Sequence, residues 1–114
     1  VFQIRGKQGE KIWAYAGLRD ASGRMTIFSP DEVSFHPVRT WKSPHTGATY
    51  PVAMRIVTGE TEWVLTPMMD DQELDSTQST GAVYWEGAVT LTRNGQPAGK
   101  GYLELTGYKK ALSL

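Results

Sequence analysis

Two stretches decide the fold: Gly81-Ala82-Val83-Tyr84-Trp85-Glu86-Gly87-Ala88-Val89-Thr90-Leu91-Thr92 and Lys100-Gly101-Tyr102-Leu103-Glu104-Leu105-Thr106-Gly107-Tyr108, with Asn94-Gly95 between them. Each alternates apolar and polar residues with the period of two expected of a strand that buries one face. Val83, Trp85, Val89 and Leu91 share one face of the first stretch, with Gly87 between them, while Tyr84, Glu86, Thr90 and Thr92 share the other. In the second, Leu103 and Leu105 oppose Tyr102, Glu104, Thr106 and Tyr108. Asn-Gly is the strongest short hairpin signal, because a type I′ turn needs positive φ at both central residues. Bringing the apolar faces together fixes the parity of the register. A loop of Asn94-Gly95-Gln96 with a bulge satisfies that parity and sets Trp85 opposite Leu105 and Glu86 opposite Glu104. A strict two-residue turn would set Trp85 opposite Glu104 and mix the faces, so the longer loop is expected.

The same alternation extends toward the N-terminus. Strands are expected over Lys11–Leu18, Met25–Phe28, Glu32–Arg39, Tyr50–Val57 and Glu62–Thr66, each entered through a Gly, Pro, Asp or Ser-rich turn. Turn signals every eight to twelve residues are the mark of an all-β sandwich or barrel. Pro37 suggests an edge position or a bulge in its strand. Pro67–Thr80 is dense in Asp, Ser and Thr and reads as a structured loop, with a short helix as the alternative.

At 114 residues, the length suggests one domain. Twelve basic residues balance twelve acidic ones, which argues against a general nucleic-acid binder. No cysteine is present, so disulfides and thiolate metal sites are excluded. No apolar run approaches the roughly 20 residues of an integral membrane span. His36 and His45 fit no zinc spacing, and no GxSxG elbow is present, so neither a metal site nor a serine hydrolase is expected. No cofactor is implied. Asp71, Gln72 and Glu73 form an acidic loop cluster whose simplest role is local side chain to backbone bonding. A pair of carboxylates facing each other across two strands is destabilising unless solvated, neutralised or sharing a proton. Glu86 and Glu104 form such a pair, and in the last case one of them would supply a general acid.

Three segments resemble the C-terminal half of the AttH-like, or hydroxyneurosporene synthase (carotenoid hydratase), family. They are Trp41-Lys42-Ser43-Pro44-His45-Thr46-Gly47-Ala48-Thr49-Tyr50-Pro51, then Asp71-Gln72-Glu73-Leu74 leading to Thr80-Gly81-Ala82-Val83-Tyr84-Trp85-Glu86-Gly87, then Gly101-Tyr102-Leu103-Glu104-Leu105-Thr106-Gly107-Tyr108. The resemblance implies an all-β, antiparallel, lipocalin-like β-barrel or half-barrel of about eight strands over residues 1–108, with 109–114 as a C-terminal tail. It implies a small hydrophobic, isoprenoid- or lipid-like ligand held in a cavity. Trp13, Trp41, Tyr84, Trp85, Tyr102 and Tyr108 are the candidate lining. The alternatives are a hydratase or cyclase-like enzyme using Glu86 or Glu104 as acid, and a structural or interaction module. Family members usually carry two such domains, so a complete chain of this length would form a homodimer to rebuild the pair. A periplasmic or secreted location follows if the chain behaves as the family does.

Overall fold

The computed structural model describes residues 1–109. Nine strands run β1 (Phe2–Arg5), β2 (Lys11–Arg19), β3 (Met25–Phe28), β4 (Val33–Lys42), β5 (Thr49–Thr58), β6 (Thr61–Pro67), β7 (Glu73–Ser76), β8 (Ala82–Arg93) and β9 (Gln96–Leu105), with one 3-10 turn at Pro30–Glu32. Every pairing is antiparallel. Strands β1-β2-β3 form a small sheet, and β4-β5-β6-β8 continue into β7 and β9 as a six-stranded one. Strands β6 and β7 lie end to end along one side of β8, pairing with Val89–Arg93 and Ala82–Trp85 respectively, while β9 takes the other side. The two sheets do not join through strand pairing, so the architecture is a half-barrel rather than a closed barrel.

The expected register is present: Trp85 pairs with Leu105, and Glu86 with Glu104. The device that sets it is different. Asn94 and Gly95, at φ 47° and 83°, form a two-residue turn closed by Arg93 and Gln96. The compensating extra residue sits beyond the turn, at Ala98, where the register shifts between Thr92–Pro97 and Leu91–Gly99. The three-residue loop is therefore corrected to a tight turn followed by a bulge. Parity is the same, because one bulged residue flips every later side chain to the required face. Asn94 is anchored from outside the hairpin as well. Its backbone N–H donates to Glu62 O at 2.7 Å, and its Oδ1 accepts from Glu62 N at 2.9 Å.

Two strands were not expected. Phe2–Arg5 pairs with β2, and Glu73–Ser76, read as part of a loop, pairs with β8. Pro37 lies in edge strand β4, where the pairing with β5 slips on either side of Arg39. Strand β5 supplies Tyr50, Val52, Met54 and Ile56 to the core, joined by Leu65, Trp85, Val89, Leu103 and Leu105. Trp85 is fully buried, and its indole N–H donates to Asp70 O at 2.7 Å. Where the sheets meet, β2 buries Ala14 and Ala16 against Val33, Phe28 and Phe35. Small side chains there let the sheets approach closely, and the gap opens away from that seam.

Candidate ligand groove and its polar surroundings

Between the sheets runs a groove of about 780 Å³, within the size range of small-molecule sites. Its floor is the core face of the larger sheet: Met54, Ile56, Leu65, Leu103 and Leu105. Phe35 and Tyr108 contribute aromatic surface, and β1 contributes Gln3 and Arg5 from the facing side, with Phe2 at the edge. A smaller recess of about 230 Å³ shares Val1, Ile56, Leu65 and Tyr102 with it and extends between Phe28, Trp63, Leu91 and Gly101.

Among the described residues that line the groove, Arg5 and Glu104 are the charged ones, and Glu104 sits on the face of β9 opposite Leu103 and Leu105. The Arg5 guanidinium lies 4.0 Å from the centre of the Tyr108 ring, and its Nη2 donates to Thr106 O at 3.1 Å. Both contacts orient the cation without neutralising it. Tyr108 packs in turn against Tyr50, with ring centroids 6.0 Å apart, and Tyr50 stacks on Trp41 at 6.4 Å. An aromatic row thus leads from the groove into the core. Burial pushes the Tyr108 hydroxyl above its ordinary pKa, so it remains a neutral phenol.

Beside Tyr50, at the middle of that row, Glu73 accepts three hydroxyl bonds: Ser43 Oγ at 2.6 Å, Thr46 Oγ1 at 2.7 Å and Tyr50 Oη at 2.6 Å. Burial alone would raise the Glu73 pKa, but the hydroxyls of Ser43, Tyr50 and Thr46 outweigh it and hold the group below its ordinary value. Tyr50 responds in the opposite sense, raised first by burial and then by its bond to Glu73. The arrangement is an ionised acceptor saturated by neutral donors. Asp71 instead pairs with His45 at 2.7 Å at the surface, which raises the His45 pKa. The Asp71-Gln72-Glu73 cluster therefore divides into three separate duties. Among the described residues, no group of three or more His, Cys, Asp or Glu side chains is placed to hold a metal ion.

The residues singled out from sequence are distributed unevenly. Tyr102 and Tyr108 line the groove, as does Glu104. Tyr108 lies beyond the end of β9 and packs on the core, so its expected place on the Tyr102 face is corrected. Trp85 and Trp41 belong to the core cluster. Trp13 points away from the groove, packed on Phe2 and Tyr15 and 43% exposed. Glu86 and Tyr84 are half-buried on the opposite face of β8 from Trp85. Tyr102 has a raised pKa, first from desolvation and then from the nearby Glu86 charge. Arg5 and the Ser43-Thr46-Tyr50-Glu73 cluster were not anticipated. The hydroxyl-rich Trp41–Pro51 segment was a visible motif, but nothing local marked Glu73 as its partner.

The chain matches the AttH-like family over residues 1–108, and it belongs to that family. Among solved structures, it is 73% identical to a Nitrosomonas europaea protein assigned to AttH, with a TM-score of 0.91 over 93% of this chain and 33% of that one. It has the same fold as part of kievitone hydratase from Nectria haematococca, at 23% identity and a TM-score of 0.64, covering 91% of this chain and 32% of that one. The chain thus spans about a third of the length of either structure. Comparison with curated proteins gave no match. No helix among the described residues is long and apolar enough to cross a membrane.

Proposed function

We propose that this domain binds a small, elongated hydrophobic molecule in the groove between its two sheets. The observation that carries the reading is the groove itself. Its floor is apolar, formed by Met54, Ile56, Leu65, Leu103 and Leu105, and Gln3, Arg5, Thr40, Thr49 and Thr106 lie among the polar residues at its border. Apolar concavities with sparse polar anchors are the usual form of lipophile sites. The experiment is an equilibrium titration of the purified chain with Nile red, a neutral probe that brightens in apolar surroundings, followed by competition with dodecanol. Saturable, competable binding is expected. Emission that rises without saturation, or that dodecanol leaves unchanged, sinks the reading.

A catalytic version has one observation in its favour: the cross-strand pair Glu86 and Glu104 lies beside Tyr102, which borders the groove. In alkene hydration, the protonated form of Glu104 would give a proton to one alkene carbon, water oxygen would bond the other, and the proton lost by that water would restore the acid. The fold neighbour's name, a hydratase, agrees with such a use of the groove. Glu86 stands opposite Glu104 and would serve as its partner carboxylate. Glu104→Gln and Glu86→Gln would abolish turnover while leaving Nile red affinity intact. Unchanged turnover of an accepted alkene in both variants ends the idea.

Self-association is the remaining part of the reading. Phe2, Ile4, Trp13, Met25 and Ile27 lie on one face of the small sheet, each between 43% and 57% exposed. An apolar face of this kind marks an interaction surface, and a second copy of the chain would cover it symmetrically. Light scattering on the purified chain should give twice the chain mass. A monomeric mass across the accessible concentration range rejects the dimer.

A further inference from the structure

The groove carries a cation that its apolar lining does not require. Arg5 sits at the end of β1, where the pairing with β2 slips between Ile4 and Arg5. Its guanidinium is half-buried, fixed by the Tyr108 ring and by Thr106 O. Among the described residues, no carboxylate lies within 4.0 Å of it. The three ion pairs present involve Arg39, His45 and Arg55 instead. Glu104, the other charged residue of the lining, is outside that distance as well. A guanidinium presents five donors in a planar fork, and Arg5 spends one nitrogen on a neutral carbonyl. Desolvating a cation without a counter-charge is unfavourable, so such a position gains when an anion arrives. Thr40, Thr49 and Thr106 line the same groove and add short polar groups beside its apolar floor.

We propose that Arg5 receives the anionic head group, carboxylate or phosphate, of an amphipathic ligand whose apolar tail lies along the groove floor. This inference rests on the groove reading above and adds the chemical class of its ligand. Arginine matches both head groups through paired N–H to oxygen bonds. The cation–π contact with Tyr108 and the Thr106 bond set its direction in advance, so ligand binding would not have to order a free side chain.

The test measures displacement of Nile red from the full chain by dodecanoate, dodecyl phosphate and dodecanol, which share one tail. At least one of the anions should compete about tenfold better than the alcohol. The anion with the lower midpoint identifies the head group. Arg5→Gln should erase the advantage while leaving dodecanol competition unchanged, and Arg5→Lys should keep part of it. High salt should narrow the gap in the wild type by screening. Equal competition by all three amphiphiles in the wild type overturns this inference and leaves the apolar groove standing. Retention of the anion preference in Arg5→Gln also overturns it. Failure of Nile red and every amphiphile to bind overturns the groove reading and this inference together.

Discussion

Gln72 occupies the space above Gly87 that any other residue's Cβ would need. Its amide is held there by three bonds. Nε2 donates to Met69 O at 2.8 Å and Ala88 O at 3.2 Å, and Oε1 accepts from Ala88 N at 3.0 Å. The Gln72 carbonyl also accepts from Glu86 N at 3.2 Å. Strand β6 leaves β8 at Val89 and β7 joins it at Trp85. One glutamine, through main chain and side chain, thus serves the polar groups of the uncovered turn of β8. Glycine in the Tyr84-Trp85-Glu86-Gly87 motif is a packing requirement for that glutamine.

Gly87→Ala should therefore destabilise the fold by about 1–3 kcal/mol, the cost of expelling the amide and unpairing buried backbone groups. A double-mutant cycle by urea unfolding is the check. In a Gln72→Ala background the same Gly87→Ala change should cost much less, because the space is already vacant. Additive effects would show that the two residues are not coupled.

Glu73 is the acceptor that lets Ser43 and Tyr50, both buried, keep their hydroxyls satisfied. Glu73→Ala should cost about 2–3 kcal/mol, since it strands both donors. Tyr50→Phe should cost about 1 kcal/mol, because two donors still serve the carboxylate. Equal and negligible changes in unfolding midpoint would mean that water replaces the cluster without loss.

The same group sets an acid limit on stability. Its folded pKa lies below its ordinary value despite the burial that opposes this, because three hydroxyls favour the ionised form. In the unfolded chain Glu73 takes up its proton in the ordinary carboxylate range. The folded chain does so only at lower pH. The stabilisation is therefore complete above the ordinary range and disappears as pH falls through the folded value. Asp70, held low chiefly by its bond from Arg39, acts in the same direction, though its exposure limits the effect. Urea midpoints taken from about pH 6 to about pH 3 should decline more steeply for the wild type than for Glu73→Gln. Parallel declines would contradict the assignment.

The turn Asn94-Gly95 gives a backbone prediction. Gly95 has φ 83°, a region that costs a side chain roughly 1 kcal/mol. Gly95→Ala should lower stability by about that amount. Asn94→Ala should cost at least as much, because it removes the bond to Glu62 N as well. A thermal midpoint unmoved by Asn94→Ala would show that the turn is not tied to the neighbouring β5–β6 turn.

The hairpin was legible because parity leaves little choice. Once Trp85 and Leu105 must share a buried face, Glu86 and Glu104 face each other whether the extra residue lies in the turn or at Ala98. Where that residue sits was not legible, since either placement satisfies the pattern. Strand β7 was hidden by composition: Glu-Leu-Asp-Ser has weak strand propensity, and its pairing with β8 overrides it. Strand β1 was hidden by its length of four residues. The site was less legible than the fold. Arg5 meets Thr106 across 101 positions, and Glu73 meets Ser43 across 30, so no local spacing announces either contact. Trp13 was an attractive lining residue by type alone, but strand parity turns it outward together with Tyr15, while Ala14 and Ala16 face the core.

The central claim is that a hydrophobic ligand lies between the sheets, and Gly101 offers the most direct test. It lines the recess of the groove, and a Cβ there would make ordinary contact with Val89 and Leu91. Leucine at this position should be tolerated by the backbone and should fill the space a ligand needs. Nile red titration of Gly101→Leu beside the wild type should show affinity reduced by about tenfold or more with the thermal midpoint nearly unchanged. Equal affinity in a folded Gly101→Leu protein would contradict the claim, because the probe would then be bound somewhere other than this groove.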